Sequence, residues 1–195
     1  MQVDVASRAP HARKHGSTFA ETWKAHDGTV FVGVGRVFSG KDRVAVADLL
    51  RTAGRAVIGS MTMLAGALRS LDRIVQKHAQ EQRDDELAAA VALFAIPPSA
   101  GSVSYVGAGQ LQVALVDGLG AAHPLYGVGA ALGTGIEPSP SDTTFHELRL
   151  HRDDLLVATT FPLPEAWWPR GVRTAEALVQ ASAEPEASAA VICAA

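Results

Sequence analysis

Two glycines spaced one residue apart are the first candidate for chemistry in this sequence. The stretch FVGVGRVFSG, residues 31–40, places Gly33 and Gly35 after an apolar run and before a segment of helical periodicity. A dinucleotide site uses such glycines so that the backbone can approach a pyrophosphate at a helix N-terminus. Gly40 falls too late to be the third glycine of that fingerprint, and two predicted helices follow. A strand-to-helix turn that needs small residues is favoured, and a nucleotide site is the alternative.

The histidines offer metal chemistry, but their spacing does not favour it. His11 and His15 lie in a basic segment that contains a proline, and His146 and His151 flank a predicted strand. The sequence has no HExxH pattern and no Cys–His set, so it lacks the ligand spacing of a zinc site. We expect these histidines to be solvated surface residues.

Paired acids and paired tryptophans have similarly ordinary interpretations. Asp153-Asp154 and the run Asp84-Asp85-Glu86 could bind a cation, but aspartate bonds its own backbone in turns, and a turn role is favoured. Trp167-Trp168 could be a recognition patch or could cover the end of a sheet.

Three cations cluster around a predicted helix start. Arg36, Lys41 and Arg43 could contact a phosphate or an acidic partner there, because helix N-termini favour anions. The alternative is that they are solvated surface charges.

The elements that must position these residues follow from hydrophobic periodicity. Apolar residues recur at helical spacing over residues 42–82, with a break predicted at Gly59-Ser60 and a cap at Ser39 or Asp42. Alternating or continuous apolar runs before and after this pair predict strands, and a last helix and strand close the chain. The order predicts an α+β layered fold with helices covering a sheet face.

The bulk composition sets the remaining limits. The 195 residues suit a single domain over 1–195, and the net charge of −3 argues against a nucleic-acid partner. The single cysteine, Cys193, excludes an internal disulfide and suits a reducing compartment. The N-terminus has no apolar signal region and the longest apolar run, at 87–96, is too short to span a bilayer. We therefore expect a cytoplasmic protein without a membrane partner.

Two longer stretches carry a resemblance to a known family. AVALFAIPPSAGSVSYVGAGQLQVALV is similar to the centre of bacterial metal-dependent serine phosphatases of the 2C (PPM) type, in the stage II sporulation protein E (SpoIIE) branch. ALGTGIEPSPSDTTFHELRLHRDDLLVATTFPLPEA resembles the segment of that family that ends in a TDG motif. The resemblance implies a four-layer αββα sandwich, with two antiparallel β-sheets flanked by helix pairs. It also implies two Mg²⁺ or Mn²⁺ ions that aspartates hold between the sheets, with a bridging hydroxide that attacks a phosphoserine.

At the positions that match the family's ligand motifs, this sequence lacks the expected side chains. The TDG aspartate corresponds to Phe161, the N-terminal GD motif to Gly16-Ser17, and the AGH motif ends at Gln110. Gly35 or Arg36 stands where a bridging aspartate is expected. An alternative alignment would put Asp48, from VAVADLL, at that bridging site, in a strand instead of a helix.

These departures set the functional expectation. Only Glu186 remains as a possible acidic remnant in the last strand, and Arg36 in the former metal site would repel cations and pair with Glu186 or another acid. We expect no catalytic residues, no metal and a cleft for partner binding formed by Arg36, Lys41, Arg43, Gln110 and Glu186. The resemblance implies a regulatory protein as partner, such as a phosphorylated antagonist of an anti-sigma factor. The alternative is an active Mn- or Mg-dependent phosphoserine phosphatase with displaced ligands, using Asp48, Asp42 or Glu186.

Overall fold

The elements follow the predicted order of strands, two helices, strands, a helix and a strand. The computed structural model describes residues 1–8, 16–60, 64–98, 101–125, 129–136, 146–163, 174–182 and 186–193. The elements in these ranges are β1 (Gln2–Ser7), β2 (Thr18–Lys24), β3 (Val30–Ser39), α1 (Arg43–Ser60), α2 (Leu64–Gln82), β4 (Ala88–Ile96), β5 (Ser102–Ala108), β6 (Gln112–Val116), β7 (Ala122–Pro124), β8 (His146–Arg149), β9 (Leu155–Thr159), α3 (Ala175–Ala181) and β10 (Ser188–Cys193). His11, His15 and Trp167-Trp168 lie outside the described residues.

The strands form two five-stranded sheets in which every neighbouring pair is antiparallel. The first sheet has the order β1-β10-β9-β6-β7, and the second has the order β2-β3-β4-β5-β8. Three apolar clusters hold the layers together. One lies between the helices α1 and α2 and the second sheet, one lies between the two sheets, and one lies between the first sheet and α3. The predicted αββα sandwich is confirmed, and within the described ranges its outer face at the first sheet carries the seven-residue α3.

The central strand β4 is a continuous apolar run because both of its faces are covered. Its alternate residues Val91 and Leu93 belong to the cluster under the helices, whereas Ala92 and Phe94 belong to the cluster between the sheets. A strand that is covered on both faces cannot alternate apolar with polar side chains. The prediction of a strand buried on both faces is therefore confirmed.

The two long helices lie in the predicted region of the sequence, residues 42–82. Asp42 caps α1, because its carboxylate accepts a hydrogen bond from the Ala45 amide at 3.3 Å. Gly59 is predicted to end the first helix, and α1 ends one residue later, at Ser60, which is predicted to cap the second helix. A difference of one residue is within the usual variation of helix ends. No helix in the described part of the chain is long and apolar enough to cross a bilayer.

Candidate binding cleft between the two sheets

A cavity of about 450 Å³ opens where strand ends of the two sheets meet. Both sheets contribute: Arg36 and Phe38 lie on β3 of the second sheet, and Thr160 directly follows β9 of the first. The lining residues are Arg36, Phe38, Gly109, Gln110, Gly129, Ala131 and Thr160. We call this cavity the cleft. It contains two of the predicted partner-binding residues, Arg36 and Gln110.

Strand alternation directs Arg36 into the cleft. Val32 and Val34 of β3 lie in the cluster between the sheets, and Arg36 continues the same face two residues further on. Its Nη1 donates a hydrogen bond to the carbonyl oxygen of Thr160 at 3.1 Å. Arg36 thus connects the second sheet to the end of a strand of the first.

Gly33 and Gly35 of β3 form neither the strand-to-helix turn nor the nucleotide site that their spacing suggests. A Cβ on Gly33 would lie 2.5 Å from the Trp23 ring, and a Cβ on Gly35 would collide with the Phe19 ring. Both glycines lie within the strand, on the face toward the helices, where aromatic rings from β2 cover them. The predicted strand-to-helix turn and the nucleotide site at these glycines are therefore wrong. The glycines make room for aromatic packing.

The strand β9 places Thr160, and not Phe161, at the cleft. Phe161, two residues beyond the end of β9, is buried in the outer cluster against α3 together with Val157 of β9, whereas Leu156 and Ala158 of β9 face the other sheet. The residue that the resemblance matches to the TDG aspartate therefore faces the outer cluster and not the cleft. A threonine lines the cleft there.

Hydroxyl groups join the sheets beside the cleft. Thr18 of β2 and Ser188 of β10 share a hydrogen bond of 2.8 Å between their hydroxyl oxygens. The Thr160 hydroxyl donates to the Ser188 carbonyl at 3.3 Å and accepts from the Ser188 amide at 3.0 Å. These buried groups satisfy one another, which removes the penalty of burying them.

Glu186 accepts two hydrogen bonds from Ser17, a residue that is distant from it in the sequence. The Ser17 amide donates to its Oε2 at 2.7 Å, and the Ser17 hydroxyl donates to the same oxygen. Burial by itself raises the pKa of Glu186, but the bonds from Ser17 and the charges of Arg43 and Arg36 outweigh it, so the pKa lies below the usual glutamate value. Glu186 is therefore ionised at neutral pH and close enough to both arginines to feel their charge.

Arg43 and Lys41, which the sequence predicts to lie together with Arg36, have different surroundings in the structure. Arg43 begins α1, and its charge acts on Glu186. Lys41 is tied to the turn between α2 and β4, because its Nζ donates to the Arg83 carbonyl at 3.0 Å and its amide donates to Asp84 at 2.7 Å. Lys41 is not among the residues that line the cleft.

The two aspartates of the alternative enzyme hypothesis lie in the helix layer. Asp48 lies on α1 and its carboxylate is 3.3 Å from Arg51, so VAVADLL is not a strand and the alternative alignment is wrong. Asp42 serves as the cap of α1. Neither residue lines the cleft.

The turn interpretations of the acidic pairs agree with the structure. Asp154 accepts hydrogen bonds from the amides of His151 at 2.7 Å and Gly118 at 3.1 Å. Asp84 accepts from the Lys41 amide across the α2–β4 turn. Among the residues that the structure describes, no group of three or more His, Cys, Asp or Glu side chains could hold a metal ion.

The sequence matches one known protein family over most of its length. The model of the family "Stage II sporulation protein E (SpoIIE)" matches residues 27–195. The chain belongs to the SpoIIE family. No curated protein matches it.

Solved structures agree on the fold. The S. agalactiae serine/threonine phosphatase has a TM-score of 0.76 at 10% identity, over 99% of each chain. The RsbU and RsbW domains of Rv1364c from Mycobacterium tuberculosis give 0.69 at 18% identity, and the match covers 97% of this chain and 58% of that one. The phosphatase domain and regulatory fragment of SpoIIE from Bacillus subtilis give 0.69 at 10% identity, over 97% and 61%. Identities this low establish the architecture alone.

The family resemblance implies a pair of Mg²⁺ or Mn²⁺ ions, which would need suitable ligands in the cleft. Mg²⁺ and Mn²⁺ bind through oxygen ligands, mostly carboxylates, whose charge offsets their own. Of the residues that the structure describes, those lining the cleft contribute a guanidinium, an amide and a hydroxyl, and none of these described residues is acidic. Glu186 is engaged by Ser17. The described residues therefore do not fit a site for two dications.

Proposed function

We propose that this SpoIIE-family protein is a pseudophosphatase, a catalytically degenerate phosphatase fold that acts by binding a regulatory protein. The observation that supports the proposal is the composition of the cleft, where Arg36 lies and where no lining residue within the described ranges is acidic. The proposal includes the absence of a metal cofactor and action in the cytoplasm.

The charge of Arg36 opposes the binding of metal cations in the cleft. A guanidinium and a dication about 5 Å apart repel by roughly 7 kcal/mol at an effective dielectric constant of about 20. Among the described residues, Glu186 would have to offset this repulsion and replace the hydration shells of two ions. A pair of dications is therefore strongly disfavoured at this position.

The proposed setting is bacterial stress or sigma-factor regulation. The structural neighbours include RsbU and RsbW domains, and another is described in work on the bacterial stressosome. We therefore propose a regulatory protein as partner, such as a phosphorylated antagonist of an anti-sigma factor, which would bind without being dephosphorylated.

A second candidate function keeps the chemistry of the relatives. In it the chain is an active Mn- or Mg-dependent phosphoserine protein phosphatase with displaced ligands. The observation that favours it is the ionised carboxylate of Glu186 near the cleft. With Asp48 and Asp42 engaged in the helix layer, Glu186 is the one candidate ligand of the three that lies near the cleft.

A turnover assay separates the two functions. The purified chain is incubated with a phosphoserine peptide or p-nitrophenyl phosphate and Mn²⁺, with and without a chelator. The variants are Glu186→Gln and, as a matched control on the exposed edge strand β8, Glu147→Gln. We expect no metal-dependent turnover from any of them. Turnover that the chelator and Glu186→Gln both abolish, and that Glu147→Gln retains, would overturn the proposal.

A further inference from the structure

We propose that the outer face of α2, the side turned away from the second sheet, docks an acidic segment of the partner protein through Arg69 and Arg73. The inference rests on the proposed function for the existence of a protein partner. The docking surface itself rests on the charges of the helix pair and on an apolar groove beside Arg69. Neither arginine lines the cleft, so this surface is separate from it.

The helix pair carries a charge opposite to that of the rest of the chain. α1 and α2 together contain six lysine and arginine residues and three aspartate and glutamate residues, which gives them a net charge of +3. The whole chain has a net charge of −3, so the residues outside the two helices carry −6. A basic surface on an acidic protein attracts an acidic partner and orients its approach.

The cations of α2 lie on the side of the helix that faces away from the core. A buried stripe that includes Leu71 and Val75 packs in the cluster against the second sheet. Arg69, Arg73 and Lys77 recur at intervals of four residues, which places them on one face, and all three are exposed. Like charges at this spacing weaken a helix, so the fold gains no stability from their arrangement.

Arg69 and Arg73 form no ion pair with any residue that the structure describes, in contrast to other cations of the helix pair. Arg51 of α1 lies 3.2 Å from the Glu21 carboxylate, and Lys77 lies 3.8 Å from the glutamate four residues further along α2. The planar fork of an arginine matches the two oxygens of a carboxylate. The two arginines of α2 are therefore suited to carboxylates of another chain.

The acidic residue between these arginines in the sequence, Asp72, is engaged within the fold. Its Oδ1 accepts a hydrogen bond from the Gly133 amide at 2.9 Å, and its Oδ2 accepts one from the Gln76 side-chain amide at 2.7 Å. Both carboxylate oxygens thus have donors other than a guanidinium.

A shallow groove beside Arg69 adds an apolar part to this surface. Its lining includes Leu68, Leu132 and Ile136, and the Ile136 side chain is 63% exposed. Its volume of about 10 Å³ has room for about one water molecule, which is too little for a small-molecule ligand. An apolar side chain of a partner protein would therefore cover Ile136 instead of entering a cavity. Apolar area beside arginines is a typical composition of a protein interface.

The test is a titration of the whole chain with short synthetic peptides at constant ionic strength, followed by amide chemical shifts. The peptides have glutamates around a central leucine, glutamates around a central alanine, or lysines around a central leucine. The double variant Arg69→Gln/Arg73→Gln neutralises the proposed surface. The matched control Arg149→Gln/Arg152→Gln removes two exposed arginines around the β8–β9 turn. Melting temperatures establish that each variant is folded, and Arg73→Gln alone decides if the double variant is not.

We expect both glutamate peptides to bind saturably with shifts on α2, and the lysine peptide to cause no shift there. Arg69→Gln/Arg73→Gln should weaken binding about 2- to 30-fold, which is the range that two exposed ion pairs provide. The control variant should bind as the wild type. The leucine peptide should bind more tightly than the alanine peptide, because it covers more apolar surface at Ile136. Added salt should weaken both, because exposed charges are screened.

Absence of saturable binding of the glutamate peptides, shifts confined to the cleft, or equal weakening by the two double variants would overturn the inference. Duplex DNA of unrelated sequence and phosphatidylserine vesicles are titrated at the same concentration of negative charge. Tighter binding of either one through Arg69 and Arg73 would also overturn the inference, in favour of a nucleic acid or a membrane. The proposed function fails on metal-dependent turnover and not on peptide binding, so the two failures are distinguishable.

Discussion

Replacing Glu186 by glutamine tests whether this carboxylate is a structural link between distant segments. The change keeps the size and one acceptor oxygen, so the Ser17 amide and hydroxyl still find a partner. It removes the negative charge that makes both bonds charge-assisted, and it removes the attraction to Arg36 and Arg43. A charge-assisted bond contributes about 1 kcal/mol more than a neutral one. For a half-buried group we expect a loss of about 1–2 kcal/mol in the free energy of unfolding at pH 7.

The pH dependence gives this prediction its sign. The pKa of Glu186 is lowered in the folded protein, so its contribution to stability is present above the pKa of the unfolded chain. The contribution is lost as the pH falls through the lowered pKa, where the folded carboxyl takes up a proton. The difference between wild type and Glu186→Gln should therefore shrink toward zero in acid.

Urea unfolding of both proteins, followed by circular dichroism across this pH range, measures the difference directly. Equal m-values establish that the unfolded states are comparable. A difference that stays constant with pH, or a glutamine variant more stable than the wild type at pH 7, would refute this account of Glu186.

Two core substitutions test the assignment of faces. Gly33→Ala should lower stability by about 1–3 kcal/mol in thermal unfolding, because its Cβ would lie 2.5 Å from the Trp23 ring. The control Gly101→Ala should be close to neutral, because the nearest neighbour of its Cβ is the Leu150 carbonyl at 3.9 Å. Equal effects of the two substitutions would contradict the packing described for β3. Phe161→Ala should lower stability by about 3–5 kcal/mol in thermal unfolding, because its ring packs in the outer cluster against α3. A loss below about 1 kcal/mol would contradict the burial of that ring.

Much of the fold could be predicted because its signals are local. The helical period over residues 42–82 and the apolar run of β4 each reflect the layers that cover them. Gly59 marks the end of α1 to within one residue, because glycine has low helix propensity.

The site was harder because it depends on contacts between distant residues. Thr160 and Phe161 are adjacent, and the sequence alone does not say which of them faces the other sheet. The role of Gly33 and Gly35 depends on rings from the neighbouring strand β2. The available signal was the pair Phe19 and Trp23, which share one face of that strand opposite two glycines.

The bonds from Ser17 to Glu186 join residues 169 positions apart, and no local pattern predicts them. The family resemblance singled out Glu186 as the acidic remnant and anticipated that Arg36 would pair with an acid. The structure places the charge of Arg36 close enough to lower the pKa of Glu186.

Calorimetric titration of the chain with Mn²⁺ tests the central claim most directly, because it measures metal binding without assuming a substrate. The account predicts no saturable heat beyond that of dilution. Saturable binding of Mn²⁺ that Glu186→Gln removes and Glu147→Gln retains would contradict it.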